Sequence, residues 1–184
     1  MRGLRPREVP VDLSEAPLFL SDSDGEGEGA GAGVALWFPD GSCIGGYIAL
    51  PDEVRAVWSR SAACGDHYDI FEIEVVGPAL ILHNWAHLIT PGALWLHFID
   101  NEAALATLIK GSSSVLSGEV ITACTHSMVA SSGLWAWFDR VASPDNPVDK
   151  LSRGVMDGPW ALRDIEFPPR LLTSLIDYFN GRDI

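Results

Sequence analysis

The stretch Leu94 to Gly111, LWLHFIDNEAALATLIKG, joins a short apolar run to a helical pattern through a single aspartate. LWLHFI is short and rich in bulky and aromatic residues, which predicts a strand buried on both faces. From Asn101 onward apolar residues recur at helical spacing, and Gly111 is a typical helix stop. Asp100 is therefore predicted at the carboxyl end of a strand, where ligands and metals collect in open α/β sheets.

An aspartate between a strand and a helix is more often a helix cap than a ligand, so its interpretation depends on other acidic residues at element ends. Residues 17–21 predict a short apolar strand that is followed at once by Asp22 and Asp24. Two more strands, 34–38 and 43–50, are separated by the turn sequence PDG. These three strands predict an antiparallel meander that delivers acidic residues at the end of its first strand.

A helix is predicted from about Glu74 to Ile89, and its apolar residues fall on one face at 100° per residue. Glu74 lies within this apolar stripe, whereas Glu72 points to roughly the opposite side by helical geometry. Burying a lone carboxylate is costly, whereas a carboxylate that binds a cation is compensated. Glu74 is therefore the acid that we expect to face the sheet beside Asp100.

The same helix carries two histidines, His83 and His87, which are four residues apart and would suit a pair of zinc ligands. Both project away from Glu74, and no cysteine or carboxylate of suitable spacing accompanies them. We interpret them as solvent-facing helix residues that do not belong to the acidic site.

Two helices and one strand are predicted after the central stretch. Apolar side chains at positions 116, 120, 124 and 128 mark an amphipathic helix that ends near Gly133, and residues 134–141 predict a strand. Pro147 suits the first position of a short helix, which places Asp149 in its first turn, where it can face the sheet. A further amphipathic segment covers residues 169–179.

The composition limits the function classes. Lysine and arginine number 12 and aspartate and glutamate 25, and the resulting net charge of −13 argues against a protein that holds nucleic acid by its own surface. The three cysteines are odd in number and lack metal-type spacing, which predicts an intracellular protein, cytoplasmic or nuclear. No signal peptide is expected, because the N-terminal arginines are followed by Pro10, Asp12 and Glu15 and not by an apolar run. No membrane helix is expected, because polar residues, proline and glycine interrupt the apolar region 75–99.

In this order of elements the chain resembles the ribonuclease H domain of reverse transcriptases from retroelements. The resemblance rests on FLSDSDG, IEVVGPALILHNW, FIDNEAAL and RVASPDNPVDKLSRG and covers roughly residues 17–154. It implies an α/β, ribonuclease H-like fold, in which a mixed five-stranded sheet begins with three antiparallel strands, continues with alternating helices and strands, and is flanked by helices. The first strand should lie between the second strand and the 94–99 strand. Residues 1–16 are expected to form a linker or domain edge, and residues 155–184 a C-terminal appendage.

The resemblance also implies a catalytic site. Its four metal-binding and catalytic carboxylates would be Asp22, Glu74, Asp100 and Asp149, with Asp24 as the alternative at the first position. They would hold two Mg²⁺ ions, or Mn²⁺, because two cations about 4 Å apart can clamp both oxygens of an in-line phosphoryl displacement. The implied activity is that of a metal-dependent endonuclease that hydrolyses the RNA strand of RNA/DNA hybrids within a reverse transcriptase polyprotein. An adjoining polymerase domain would then supply the basic surface that binds the hybrid and that this chain lacks.

Two alternatives remain open from the sequence. One is a catalytically inactive ribonuclease H-like module that serves a structural or docking role, and the other is a DNA-directed nuclease of the same fold. Acids at all four positions favour the enzyme. Discrimination between a hybrid and a DNA duplex depends on contacts to 2′-hydroxyl groups, for which the sequence gives no signal.

Overall fold

A mixed sheet of six strands forms the centre of the computed structural model, which describes residues 15–26, 31–61 and 70–180. In chain order the strands are β1 (Leu18–Glu26), β2 (Gly31–Trp37), β3 (Cys43–Ala49), β4 (Leu94–Ile99), β5 (Trp135–Arg140) and β6 (Ala161–Leu162). Across the sheet the order is β5, β4, β1, β2, β3, β6. The first three strands pair antiparallel, whereas β4 runs parallel to β1 and β5 runs parallel to β4.

This arrangement is a ribonuclease H-like sheet, and it confirms the predicted fold class. β1 lies between β4 and β2, as expected. The sixth strand was not predicted: β6 has two residues and extends the sheet by pairing parallel to β3. A segment of two residues contains too little alternation for a sequence pattern to reveal it.

Six α-helices accompany the sheet within the described residues. They are α1 (Asp52–Ser61), α2 (Ile70–Trp85), α3 (Glu102–Lys110), α4 (Leu116–Ser132), α5 (Asp149–Ser152) and α6 (Pro169–Phe179), with 3-10 turns at Ala86–Leu88 and Ser143–Asp145. α2 packs on β1, β2 and α4, and α6 packs on α1 and α4. α5 packs on the other side of the sheet, which we call the open face because no other α-helix packs there among the described residues. The larger core therefore lies beneath α2, and a small apolar cluster lies beneath α5.

Helix α2 begins four residues earlier than predicted and is buried on nearly all sides, whereas a single apolar stripe was expected. Glu72 does point away from the predicted site, but into α4, where its Oε1 accepts a hydrogen bond of 2.6 Å from the Ser117 hydroxyl. The helix continues through Pro78. Gly77 lies against β1, where a methyl group would overlap the Ser23 side chain, so the helix approaches the sheet through a residue without a side chain.

Helix α4 ends before Gly133 as predicted, but its most buried face differs from the predicted stripe. Leu116 is exposed, whereas small and hydroxyl-bearing residues such as Ser117, Gly118 and Thr125 are buried. A methyl group at Gly118 would lie 2.8 Å from the Phe71 ring, so α4 packs closely on α2 through these small residues. Helix–helix contact of this kind does not depend on large apolar side chains. Val120, Cys124 and Met128 of the predicted stripe are half-buried and pack against the core, so the stripe lies at the edge of the most buried face.

The C-terminal segment contributes to the same sheet and the same core. β6 pairs with β3, and Phe167, Leu171 and Leu175 are buried in the larger core. The domain boundary at residue 155 stays a prediction. Residues 1–14 of the predicted linker 1–16, the centre of the glycine run and Cys64 lie outside the described residues. None of the described helices combines the length and apolar character needed to span a membrane.

Candidate metal centre

Three carboxylates from three different elements meet at the carboxyl ends of β1 and β4. Asp24 lies near the end of β1, Glu74 lies in the second turn of α2, and Asp100 directly follows β4. Their carboxylate oxygens lie within 4.8 Å of one another. The parallel pairing of β1 and β4 causes this convergence, because it brings both strand ends to one edge of the sheet. Asp24 and Glu74 are buried, and Asp100 is half-buried.

The cap of α3 is Asn101 and not Asp100. The Asn101 Oδ1 accepts hydrogen bonds from the backbone N–H groups of Ala103 and Ala104, both at 3.0 Å. These contacts satisfy two of the donors that the first turn of a helix leaves unpaired. The capping role is therefore filled by the next residue, and the Asp100 carboxylate faces Asp24 and Glu74 instead.

Asp22 lies two residues before Asp24 on the same side of β1, but outside the group of three carboxylates. Its Oδ1 is buried without a hydrogen-bond partner. Burial raises the pKa of Asp22 to about 8, and the charges of Asp24 and Asp100 add to this effect. The geometry favours Asp24, the alternative at the first position, while the assignment of Asp22 as a ligand stays a prediction.

Glu74 has the environment of a cation ligand. Its Oε1 accepts a hydrogen bond of 3.0 Å from the Gly25 N–H, whereas its Oε2 is buried without a partner. Burial raises the pKa of Glu74 to about 10, assisted by the charges of Asp24 and Asp100. A buried oxygen without a partner, next to two further carboxylates, fits a divalent cation with oxygen ligands, which would satisfy the oxygen and offset the charge.

Helix α5 contacts the acidic group through Ser152. The Ser152 hydroxyl lies 2.9 Å from Asp24 Oδ2 and 2.7 Å from the carbonyl oxygen of Asp149. A methyl group at Gly33 would lie 2.5 Å from the Ser152 backbone nitrogen, so this close approach requires glycine on β2. Burial raises the pKa of Asp24, whereas hydrogen bonds from Glu74 and Ser152 oppose that rise.

Asp149 lies on the same short helix, but its carboxylate is outside the group of three. It forms an ion pair of 2.9 Å with Arg153, one helical turn later, and about 44% of its side chain is exposed. The role of Asp149 as a fourth ligand stays a prediction. His83 and His87 also lie apart from the group: His83 contacts Glu166 at 3.2 Å, and His87 is exposed.

A hydrogen-bond network behind the carboxylates was missed by the sequence analysis. The two ring nitrogens of His97 lie 2.8 Å from the Ser21 hydroxyl and 3.1 Å from the Ser23 hydroxyl. Trp95 Nε1 donates to the Ser21 hydroxyl at 2.7 Å. Burial lowers the pKa of His97 to about 3, so the neutral ring links β4 to β1 just below the acidic group. A histidine within an apolar strand was the available signal, since a buried polar side chain requires partners.

The buried acids predict how stability depends on pH without a divalent cation. The folded-state pKa values of Asp22 and Glu74 are raised, so the unfolded chain ionises first and stability falls as pH rises from about 4 towards 8 to 10. The lowered pKa of His97 has the opposite effect on stability, which it decreases only as pH falls below about 6.5. In a chelator, the melting temperature should therefore decrease between pH 6.5 and 9.

Mg²⁺ should reverse most of this decrease, since bound cations favour ionised carboxylates. Scanning calorimetry at several pH values, with a chelator and with Mg²⁺, measures both effects. The Glu74→Gln variant should show a smaller slope in the chelator and a smaller response to Mg²⁺. A melting temperature that rises with pH in the chelator would contradict the burial of these acids.

Comparisons with known proteins find similarity to solved structures alone. No model of a known protein family matches the chain, and no curated protein matches it. The chain is similar to a solved structure, the N-terminal ribonuclease H domain of Rv2228c from Mycobacterium tuberculosis as a fusion with maltose-binding protein. The identity is 14% and the TM-score 0.47, over 77% of this chain and 94% of that chain. The ribonuclease H-like fold rests on the strand order and strand directions.

Proposed function

We propose that this protein is a metal-dependent endonuclease that hydrolyses the RNA strand of RNA/DNA hybrids by a two-metal-ion mechanism. The convergence of Asp24, Glu74 and Asp100 within 4.8 Å carries the proposal. Three acids in one place repel one another unless protons or cations offset their charge. The supporting detail is the buried Glu74 oxygen, which lacks any hydrogen-bond partner.

In the proposed mechanism, the chemistry of two bound divalent ions would be the activation of a water and the stabilisation of the leaving oxygen. Asp24, Glu74 and Asp100 would hold them, and Asp149 would complete the set after its carboxylate leaves Arg153. Ser152 orients the Asp24 carboxylate through a hydrogen bond to one of its oxygens. Gly25 orients Glu74 through its backbone N–H. The chain thus positions both buried acids, and the unpartnered Glu74 Oε2 is available to an ion.

We further propose that the protein acts as part of a retroelement reverse transcriptase, with an adjoining polymerase domain that holds the hybrid. The supporting observation is the net charge of −13, which disfavours binding of a polyanion by this chain alone. Binding of the hybrid to the isolated chain should be weak, should depend on Mg²⁺ and should decrease sharply with added salt.

The test is a cleavage assay with a labelled RNA/DNA hybrid and Mg²⁺. The native chain should cut the RNA strand, and the Asp100→Asn variant should not, because the amide loses the ligand charge while nearly keeping the shape. Asp164→Asn is the matched control, since Asp164 is an exposed acid that follows β6 at the far edge of the sheet. Melting of all three proteins in a chelator shows whether each is folded.

Two outcomes would contradict the proposal. If duplex DNA is cut and the hybrid is not, the protein is a DNA-directed nuclease of the same fold. If the folded chain shows no Mg²⁺-dependent stabilisation and cuts neither substrate, the protein is a catalytically inactive structural module and not an enzyme. Equal responses of native chain and Asp100→Asn to Mg²⁺ would exclude Asp100 from the metal centre.

A further inference from the structure

The open face of the sheet carries apolar side chains that neither core covers. Alternate positions of β1, β4 and β5 share this face with Asp24 and α5. Its apolar side chains include Leu18, Leu20, Leu94, Leu96, Phe98 and Trp137, which we call the apolar patch. None of them belongs to the larger core or to the small cluster beneath α5. Trp137 is 63% exposed and Leu18 is 43% exposed, so the patch includes large side chains in contact with solvent.

The strand directions make this exposure unusual. β1, β4 and β5 are mutually parallel, and parallel strands are normally covered by helices on both faces. On the open face α5 contacts β1, β2 and β3, and its four residues are too few to extend over β4 and β5. The C-terminal helix α6 packs against α1 and α4, away from the patch. Among the described residues, therefore, no helix covers the open face of β4 and β5.

The dimensions of the patch suit a single helix. Three neighbouring strands about 4.8 Å apart place the two outer strand axes roughly 10 Å from each other. An α-helix with its side chains is about 10–12 Å in diameter. A contiguous exposed apolar surface of this kind marks a protein interaction site more often than a free surface.

Charge determines what kind of helix the patch would accept. On this face of the three strands, Asp22 and Asp24 are buried and Asp139 is the exposed charge among the described side chains. Beside the strands, α5 carries two exposed basic residues, Lys150 and Arg153, of which Arg153 is paired with Asp149. Arg140 points to the other face, where it forms an ion pair of 2.8 Å with Glu102. A second copy of the chain would bring a further net charge of −13 against the same acidic surroundings.

We propose that the apolar patch binds an amphipathic helix of a partner protein, in which lysine and arginine flank the apolar stripe. Burial of the patch supplies the free energy of binding, and the basic flanks pair with acids such as Asp139. This interaction uses the face of the sheet rather than the reacting oxygens of the metal centre. Its failure in an experiment is therefore distinguishable from a failure of the proposed nuclease activity.

The probe is a synthetic peptide of about 18 residues, roughly five helical turns, made of leucine and lysine with the leucines on one face. Titration calorimetry should show binding to the native chain in a chelator. A variant with both Trp137→Ser and Leu18→Ser should bind at least ~10-fold more weakly, because it removes two large apolar side chains from the contact. Leu162→Ser is the matched control, since Leu162 is 46% exposed at the opposite sheet edge, and it should bind like the native chain.

A second peptide of the same composition, with leucines spread around the helix, separates apolar docking from simple charge attraction and should not bind. Two results would overturn the proposal. One is equal binding of the native chain and the Trp137→Ser, Leu18→Ser variant, with both shown to be folded by their melting curves. The other is a concentration-dependent dimer in sedimentation that the same two substitutions abolish, which would make a second copy the cover of the patch.

Discussion

Replacement of Asp24 by asparagine should lower the rate of hybrid cleavage on the order of 10²–10³-fold, the loss typical for removing one electrostatic contact to developing charge. Asp24 shares the group of three carboxylates, and its loss would remove a ligand charge from the centre. Asp22→Asn should retain most of the activity, because Asp22 lies outside that group. Single-turnover cleavage rates with saturating Mg²⁺ measure both variants against the native chain.

The Asp22→Asn variant has a second expected property. The pKa of Asp22 is raised to about 8, so above that pH the native chain contains a buried charge that the variant lacks. The melting temperature of Asp22→Asn in a chelator should therefore depend less on pH between 6.5 and 9. The reverse pattern, with cleavage abolished by Asp22→Asn and retained by Asp24→Asn, would assign the first metal ligand to Asp22.

Replacement of Gly77 by alanine should destabilise the protein by about 1–3 kcal/mol, the usual cost of adding a methyl group to a packed interior. The added methyl group would overlap the Ser23 side chain and push α2 away from β1. Glu74 lies one turn earlier on the same helix, so the Mg²⁺-dependent stabilisation and the cleavage rate should fall as well. Denaturant unfolding with and without Mg²⁺ measures both consequences.

The control is a double-mutant cycle with Ser23→Gly, which creates the space that the new methyl group requires. Ser23→Gly alone should also cost stability, since it removes the hydroxyl that lies 3.1 Å from His97. In combination the two substitutions should cost less than the sum of their separate effects. Strict additivity would show that α2 does not approach β1 through Gly77.

Sequence patterns predicted the acidic residues that stand out either by their position at a strand end or by their place in a helical repeat. Asp100 follows directly from the end of the LWLHFI strand, and Glu74 follows from its place in an apolar helical stripe. The choice between Asp22 and Asp24 could not be made in this way, because residues two apart on a strand share one face. The contacts that distinguish Asp24 from Asp22 come from Glu74 on α2 and Ser152 on α5, which are remote in sequence.

Other features depended on contacts that no local pattern contains. The predicted stripe of α4 lies at the edge of its most buried face, because the contact of α4 with α2 uses Ser117 and Gly118. The short strand β6 exists through its pairing with β3. The order of strands in the sheet came from the resemblance to a known family, since apolar spacing predicts strands but not their neighbours. The Asn101 cap was not predicted, although asparagine before an acidic first turn is a common helix start.

Asp100 belongs to the acidic group, whereas Asn101 caps α3, and this separation of roles determines which substitutions the fold tolerates during evolution. Because Asn101 alone accepts the first N–H groups of α3, a substitution at Asp100 leaves the start of that helix intact. Under the proposed function, a single substitution at Asp100 could thus abolish cleavage and still leave a folded protein. Relief from carboxylate repulsion would even favour its persistence. Variants with a substitution at Asp100 should therefore still fold, and they could be retained in evolution for the partners that their surfaces bind.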